Sequence, residues 1–301
     1  MEAVSVKNLI KIYGKDKTAV NDISFTVNQG EVFGLIGPDG AGKTSIFRVL
    51  TTLLLPDGGS AMVDGFDVVK DYKQIRNRVG YMPGKFSLYQ DLSVEENLNF
   101  FATVFNTTIA ENYHLIKDIY VQLEPFKNRR AGQLSGGMKQ KLALCCALIH
   151  KPVILFLDEP TTGVDPVSRK EFWEILQQLK EQNITIVVST PYMDEANRCD
   201  RIALIQSGQL LSVDTPVNII KSYPEKLYAI KADNMHALLK ILHKYDQVKS
   251  SYAFGEFAHV SFKEPEFNPD QAIAYLKTQE LQDIELIKTE VTIEDCFIKL
   301  L

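Results

Sequence analysis

The chain lacks the features of a membrane span, a disulfide frame or a nucleic-acid binder. No apolar run approaches the roughly 20 residues needed to cross a bilayer, so any membrane role is expected to be peripheral. Basic charge is not in excess. Lys and Arg number 33 against 38 Asp and Glu, a net charge of −5, which leaves no general footprint for nucleic acid. The four cysteines, Cys145, Cys146, Cys199 and Cys296, have neither metal nor disulfide spacing. Adjacent Cys145 and Cys146 sit in an apolar helical run and are expected in a core, in a reducing compartment. The five histidines are scattered, without metal spacing. No cleavable leader is expected, because Met1 to Ile10 already alternates like a strand. What is present is hydrophobic sequence, 45% of 301 residues, enough for one large domain and a small one.

Residues 37–44 read Gly37-Pro38-Asp39-Gly40-Ala41-Gly42-Lys43-Thr44, an uninterrupted G-x-x-x-x-G-K-[ST] phosphate-binding loop. Such a loop implies a nucleoside triphosphate with magnesium. The glycines let successive backbone N–H groups turn toward one point without a side chain in the way. Lys43 offers a mobile positive charge to the β- and γ-phosphates, and the Thr44 hydroxyl suits magnesium. The flanks fit. Glu31 to Ile36 is a short apolar run that predicts a buried strand, and Ser45 to Leu50 continues as a helix whose positive end faces the loop.

A second half-site lies downstream. Val153 to Leu157 is a solid apolar run, predicting a central parallel strand, and it ends in Asp158-Glu159-Pro160. Carboxylates at that end of a strand lie at the crevice where open α/β sheets bind ligands. Asp158 is the expected magnesium partner, through water, and Glu159 the expected general base for the attacking water.

Between the two lies Leu134-Ser135-Gly136-Gly137-Met138, a Ser-Gly-Gly turn opening a helix and so a second site for an anion. Taken together, these motifs resemble the ATP-binding cassette family of transport ATPases, whose LSGGQ signature stands here as Leu134 to Met138. The resemblance covers roughly residues 1–222. It implies ATP and Mg²⁺ as cofactors, with Tyr13 stacking on adenine. The bound nucleotide would be held by Gly37, Asp39, Gly40, Ala41, Gly42, Lys43, Thr44 and Ser45. It also implies head-to-tail dimerisation, each ATP lying between one phosphate loop and the other subunit's Ser135-Gly136-Gly137. Asp165, in Gly163-Val164-Asp165-Pro166, falls at the dimer contact. The implied partners are a second cassette and transmembrane permease subunits on separate chains. The expected location is the cytoplasmic face of the membrane.

Two positions depart from the family pattern. Gly84 stands where the family has a glutamine that touches magnesium, and Pro191 where it has a histidine that contacts the γ-phosphate. Neither glycine nor proline carries a side chain able to do this. Asp39 also replaces a more usual asparagine. The expectation is a site that binds ATP but turns it over slowly, with Ser135-Gly136-Gly137 completing a competent site on a different cassette. A homodimer in which Glu159 alone suffices is the alternative.

The expected fold is α/β, a P-loop NTPase of the cassette type with antiparallel β and helical subdomains. The helical arm is expected at about residues 85–150, opened by the capping box Ser93-Val94-Glu95-Glu96. Phe86, Leu88 and Tyr89 are candidate contacts for a transporter helix. Asn28-Gln29-Gly30 and Pro56-Asp57-Gly58-Gly59 read as hairpin-like turns. Residues 223–301 follow a βαββαβ order, predicting a small ferredoxin-like unit closed by a Thr292-capped helix. This tail resembles those of exporter cassettes of the multidrug, polysaccharide and antibiotic-resistance type. The expected function is the ATPase subunit of an exporter. A soluble cassette acting on ribosomes or DNA, or a non-hydrolytic regulator, are the alternatives.

Overall fold

The structure is a computed structural model that describes residues 1–14, 17–264 and 266–301. It divides into two compact units, Met1–Pro216 and Val217–Leu301.

In the first unit, β1 (Glu2–Tyr13) and β2 (Lys17–Asn28) pair antiparallel, and β3 (Val32–Ile36) leads into α1 (Lys43–Leu50). Next come β4 (Gly58–Val63), β5 (Phe66–Asp67), α2 (Tyr72–Arg76) and β6 (Val79–Met82). The helical arm is α3 (Val94–Val104), α4 (Ile109–Tyr120) and α5 (Gly136–Leu148). The chain then alternates β7 (Ile154–Asp158), α6 (Pro166–Glu181) and β8 (Thr185–Thr190), and closes with β9 (Arg201–Gln206) and β10 (Gln209–Asp214).

Two sheets result, in the orders β2-β1-β4-β5 and β10-β9-β3-β8-β7-β6. The larger runs parallel from β9 to β6, with β10 antiparallel at its edge. β3, β7 and β8 are buried at every residue, which is why their sequences show no polar alternation. Phe25 of β2 stacks on Phe33 of β3 at 5.4 Å, and Phe47 of α1 meets Phe156 of β7 edge-on at 5.7 Å. Each fully buried ring contributes about 1.5–3 kcal/mol, enough to fix α1 against the strand ends.

Neither expected hairpin turn is one. The turn at Asn28–Gly30, with Gly30 at φ +72°, carries the chain out of the small sheet into the large one. A strand as apolar as β3 is buried on both faces and cannot be the edge partner of amphipathic β2. Gly58 and Gly59 open β4 itself, and a Cβ on Gly59 would lie 2.1 Å from Asn8 O, so these glycines serve close strand approach.

In the arm, Ser93 caps α3 through the expected capping box, and Thr108 caps α4 through a second one. All four cysteines are buried. Burial pushes the Cys145 and Cys199 thiols well up, which makes them inert core residues.

The second unit begins within α7 (Pro216–Lys221) and continues as β11 (Leu227–Lys231), α8 (Met235–Lys244), β12 (Val248–Phe254), β13 (Phe257–Phe262), α9 (Pro269–Thr278), β14 (Glu285–Thr289) and α10 (Ile293–Leu300). Its strands lie antiparallel in the order β12-β13-β11-β14. β12 and β13 turn at Gly255-Glu256 with Phe254 facing Phe257. Thr292 caps α10, and buried Asp295 ties that helix to the sheet. Asp295 Oδ1 accepts from the Tyr252 hydroxyl at 2.7 Å and lies 2.6 Å from His259 Nδ1. Oδ2 accepts from the Thr292 N–H and hydroxyl. Burial pushes the Asp295 carboxyl up, but these hydrogen bonds outweigh it and hold the group below its ordinary value.

Candidate functional site

β3 delivers the chain to the phosphate-loop segment, whose first N–H, at Gly37, donates to Thr190 O at the end of β8 (3.2 Å). Gly42 has φ +106°, and a Cβ there would meet Ala19 O at 2.3 Å, so no other residue fits. α1 begins at Lys43, which is almost wholly buried. Its Nζ donates to Gly37 O at 2.7 Å and Pro38 O at 3.0 Å, and lies 3.2 Å from Glu159 Oε1. Gly40 to Ser45, with Tyr13, Lys17, Ala19 and Glu159, line a cleft of about 450 Å³. The Tyr13 hydroxyl stands 3.2 Å from Ser45 Oγ, which joins the end of β1 to the first turn of α1. Asp39 is exposed at the loop tip and does not line the cleft.

The strand ends meet this loop. Asp158 closes β7 and is buried. Its charge and the burial of Tyr81 together push the Tyr81 phenol up to about 12, burial being the larger cause. Glu159 follows at φ +49°, a left-handed conformation uncommon for a side chain of this size. A Cβ on Gly84 would sit 3.1 Å from Asp158 O and 3.7 Å from Glu159 Cβ. Residue 84 therefore borders the carboxylate pair with no side chain to offer it. Pro191 directly follows Thr190, whose carbonyl holds Gly37.

Ser135, Gly136, Gly137 and Asp165 belong to a separate cluster and do not line the cleft. Ser135 caps α5 by accepting from Met138 N. A Cβ on Gly137 would meet Ser168 Oγ at 2.8 Å, so the Ser-Gly-Gly turn packs on the start of α6. Asp165 caps α6, and N–H bonds from Ser168 and then Val167 hold its carboxyl below the ordinary value.

Sequence reasoning missed a polar network behind the loop. Buried Glu195 accepts from the Thr161 hydroxyl (2.8 Å), the Thr190 hydroxyl (2.6 Å) and Arg169 (2.9 Å), and Arg169 also lies over the Tyr192 ring at 4.1 Å. This carboxylate ties the segment after β7, the first turns of α6 and the turn after β8 into one body. It also missed Ser189, which donates to Asp158 Oδ1 at 2.6 Å. The available signal was the adjacent pair Ser189-Thr190 closing a strand whose centre, Ile186 to Val188, is apolar.

A second cleft of about 440 Å³ lies between the end of β6 and the arm, lined by Met82, Leu88, Phe101 and Val104 among others. Of the three aromatic and apolar residues expected at a groove, Leu88 lines it. Phe86 and Tyr89 do not, and Tyr89 instead packs edge-on against Phe100 at 4.8 Å. Volume does not separate the two clefts, but only the first carries phosphate-binding chemistry.

The donor types suit a magnesium nucleotide, with Thr44 lining the cleft and Asp158 buried behind its lining at the end of β7. Thr44 and Asp158 offer oxygen, which suits a hard cation. Among the described residues no group of three His, Cys, Asp or Glu could hold a metal alone. Magnesium is commonly held by one or two protein oxygens together with substrate phosphates, which matches so sparse a set.

Comparison with known proteins gives the family. The ABC transporter family profile matches residues 20–162. The Nod factor export ATP-binding protein I of Rhizobium sp. (strain N33) is 33% identical over 302 residues, covering 99% of this chain and 96% of that protein. The chain belongs to the ABC transporter family. The cassette is also 39% identical over 292 residues to the probable multidrug ABC transporter ATP-binding protein YbhF of Escherichia coli (strain K12). That match covers 96% of this chain and spans 50% of YbhF, about half its length. A solved ATP-binding subunit of an ABC transporter matches with a TM-score of 0.67 at 27% identity, over 73% of this cassette and 93% of that chain. No helix among the described residues is long and apolar enough to cross a membrane.

Proposed function

We propose that this cassette is the ATP-binding subunit of a membrane exporter, and that its own site binds Mg·ATP but cleaves it slowly. One observation carries the reading. Lys43 of the loop and Glu159 of the strand end, far apart in sequence, meet at 3.2 Å across one cleft. A γ-phosphate held by Lys43 then lies within reach of a Glu159-bound water.

In this reading the loop N–H groups from Gly40 to Ser45 and the start of α1 hold the phosphates, and Tyr13 stacks on the adenine. Thr44 and, through a water, Asp158 would hold magnesium. When bound, the metal neutralises charge on the phosphoryl oxygens. Glu159 takes the proton of the attacking water. Gly84 and Pro191 supply no contact to the reacting end, and loss of one such donor commonly costs about 10²–10³ in rate. Binding survives because it rests on the loop and Tyr13.

Ser135-Gly136-Gly137 and Asp165 stand outside the cleft, which supports their serving the ATP of a second cassette. With a weak own site, a heterodimer with an intact cassette is the favoured assembly. An ordinary homodimer is the second reading, favoured by the presence of Glu159 beside Lys43. In this reading the Leu88-lined cleft receives a transmembrane subunit and the cassette sits at the cytoplasmic face of the membrane. Residues 1–222 act as the ATPase domain, and 223–301 as a ferredoxin-like accessory unit. Exporter names among the relatives support the direction of transport.

The test is association driven by nucleotide. Particle mass of the Glu159→Gln variant is measured with and without Mg·ATP, alone and mixed with a cassette that keeps both the glutamine and the histidine. ATP-dependent pairing that requires Lys43 supports the reading. Association indifferent to ATP and to Lys43→Ala contradicts it.

A further inference from the structure

We infer that Ser189 is a positioning residue for the Asp158–Glu159 pair, holding both with one hydroxyl. The inference rests on the reading of that pair as magnesium partner and general base.

Ser189 lies on β8 directly beside Asp158 in the parallel register with β7, and it is completely buried. A hydroxyl so placed must be paired, and its bonding pattern is fixed by its neighbours. The Glu159 N–H donates to Ser189 Oγ at 3.0 Å, so Oγ is the acceptor there. Its single proton is thus directed to Asp158 Oδ1, 2.6 Å away. A hydroxyl–carboxylate bond of that length is charge-assisted and strong.

Two consequences follow for the site. Asp158 Oδ1 is engaged by Ser189, which restrains the carboxylate, and in the reading of Asp158 as magnesium partner its other oxygen would serve the metal. Glu159 is held in its left-handed conformation, φ +49°, by its N–H bonding both Oγ and the carbonyl of Ser189, each at 3.0 Å. That conformation sets the direction in which the Glu159 side chain leaves the strand, toward Lys43. At the neighbouring strand ends, Gly84 has no side chain and Pro191 no N–H. Ser189 bonds both members of the pair, while Lys43 reaches only the Glu159 side chain.

The test uses the full chain and Mn²⁺ as the metal probe, with a non-hydrolysable ATP analogue. Metal binding is read by electron paramagnetic resonance, and analogue affinity is read separately in EDTA. Ser189→Ala is expected to leave affinity in EDTA within about twofold and to weaken Mn²⁺ binding about 10- to 100-fold, as losses behind a metal ligand do. Ser189→Thr, which keeps the hydroxyl, restores Mn²⁺ binding. If Ser189→Ala does not fold, Ser189→Thr and Ser189→Val, matched in shape, isolate the hydroxyl. The inference is overturned if the hydroxyl-free variants bind Mn²⁺ like wild type while Asp158→Asn loses it. If Asp158→Asn itself binds Mn²⁺ normally, the metal role of Asp158 fails, and the Ser189 inference fails with it by a separate route.

Discussion

The two sides of the nucleotide cleft are built to different standards. On the loop side, Gly42 is the only residue its backbone permits, Lys43 is pinned by two carbonyls, and Tyr13 reaches over to Ser45. On the far side, residue 84 approaches Asp158 to within a Cβ's reach but is glycine, and residue 191 is proline. The difference separates binding from chemistry. Contacts to the base and the phosphates hold substrate and transition state alike, whereas only contacts that strengthen as the γ-phosphate departs raise the rate. A chain that keeps the first set and lacks most of the second should bind ATP well and turn it over poorly.

Rebuilding the far side of the cleft should have the largest effect. Gly84→Gln with Pro191→His is expected to raise single-turnover hydrolysis by about 10²-fold, and adding Glu159→Gln should remove the gain. The new Cβ at residue 84 would begin 3.1 Å from Asp158 O, so that turn must yield by a few tenths of an ångström, and thermal unfolding should report a small loss. An unchanged rate in a folded variant would show that the two missing side chains are not what limits the site. On the loop side, Lys43→Ala should weaken Mg·ATP binding by about 10- to 100-fold, the scale of a lost hydrogen bond to a charged group, in an equilibrium titration.

Asp295 of the second unit provides a control for polar burial away from the cleft. Asp295→Asn should cost about 2 kcal/mol in thermal unfolding at pH 7, because it removes a carboxylate serving Tyr252, His259 and Thr292. Since the native carboxyl sits below its ordinary value, its contribution is complete above the usual carboxylate range of about 4. It is lost as pH falls through the lower native value, so the gap between wild type and variant should close on acidification. A gap constant with pH would contradict this. The smallest effect concerns the base. Tyr13→Ala should weaken ATP binding about 10-fold while Tyr13→Phe stays near wild type, as stacking without a required hydroxyl predicts.

Most of what positions the cleft could be read from residues close together in sequence. The strand–loop–helix from Val32 to Leu50 and the apolar strand ending in Asp158 carry their own periodicity, and Ser93 and Thr292 sit at helix starts with acidic residues three positions on. What could not be read depends on partners far along the chain. A Gly-rich turn announces a change of direction but not the sheet the chain enters, so Asn28–Gly30 looked like a hairpin. Ser189 and Glu195 take their meaning from Asp158, Thr161 and Arg169, which only the folded sheet brings to them. Leu88 and Tyr89 are adjacent and both apolar in body, yet one lines the arm cleft and the other packs on Phe100.

The cleft is expected to hold ATP without cleaving it at a useful rate. Single-turnover hydrolysis of γ-labelled ATP by the purified chain, with protein in excess and Glu159→Gln as reference, tests it most directly. The expected result is slow cleavage of bound ATP, only marginally faster than in that variant. Fast cleavage that disappears with Glu159→Gln would contradict it and return the cassette to an ordinary homodimeric ATPase.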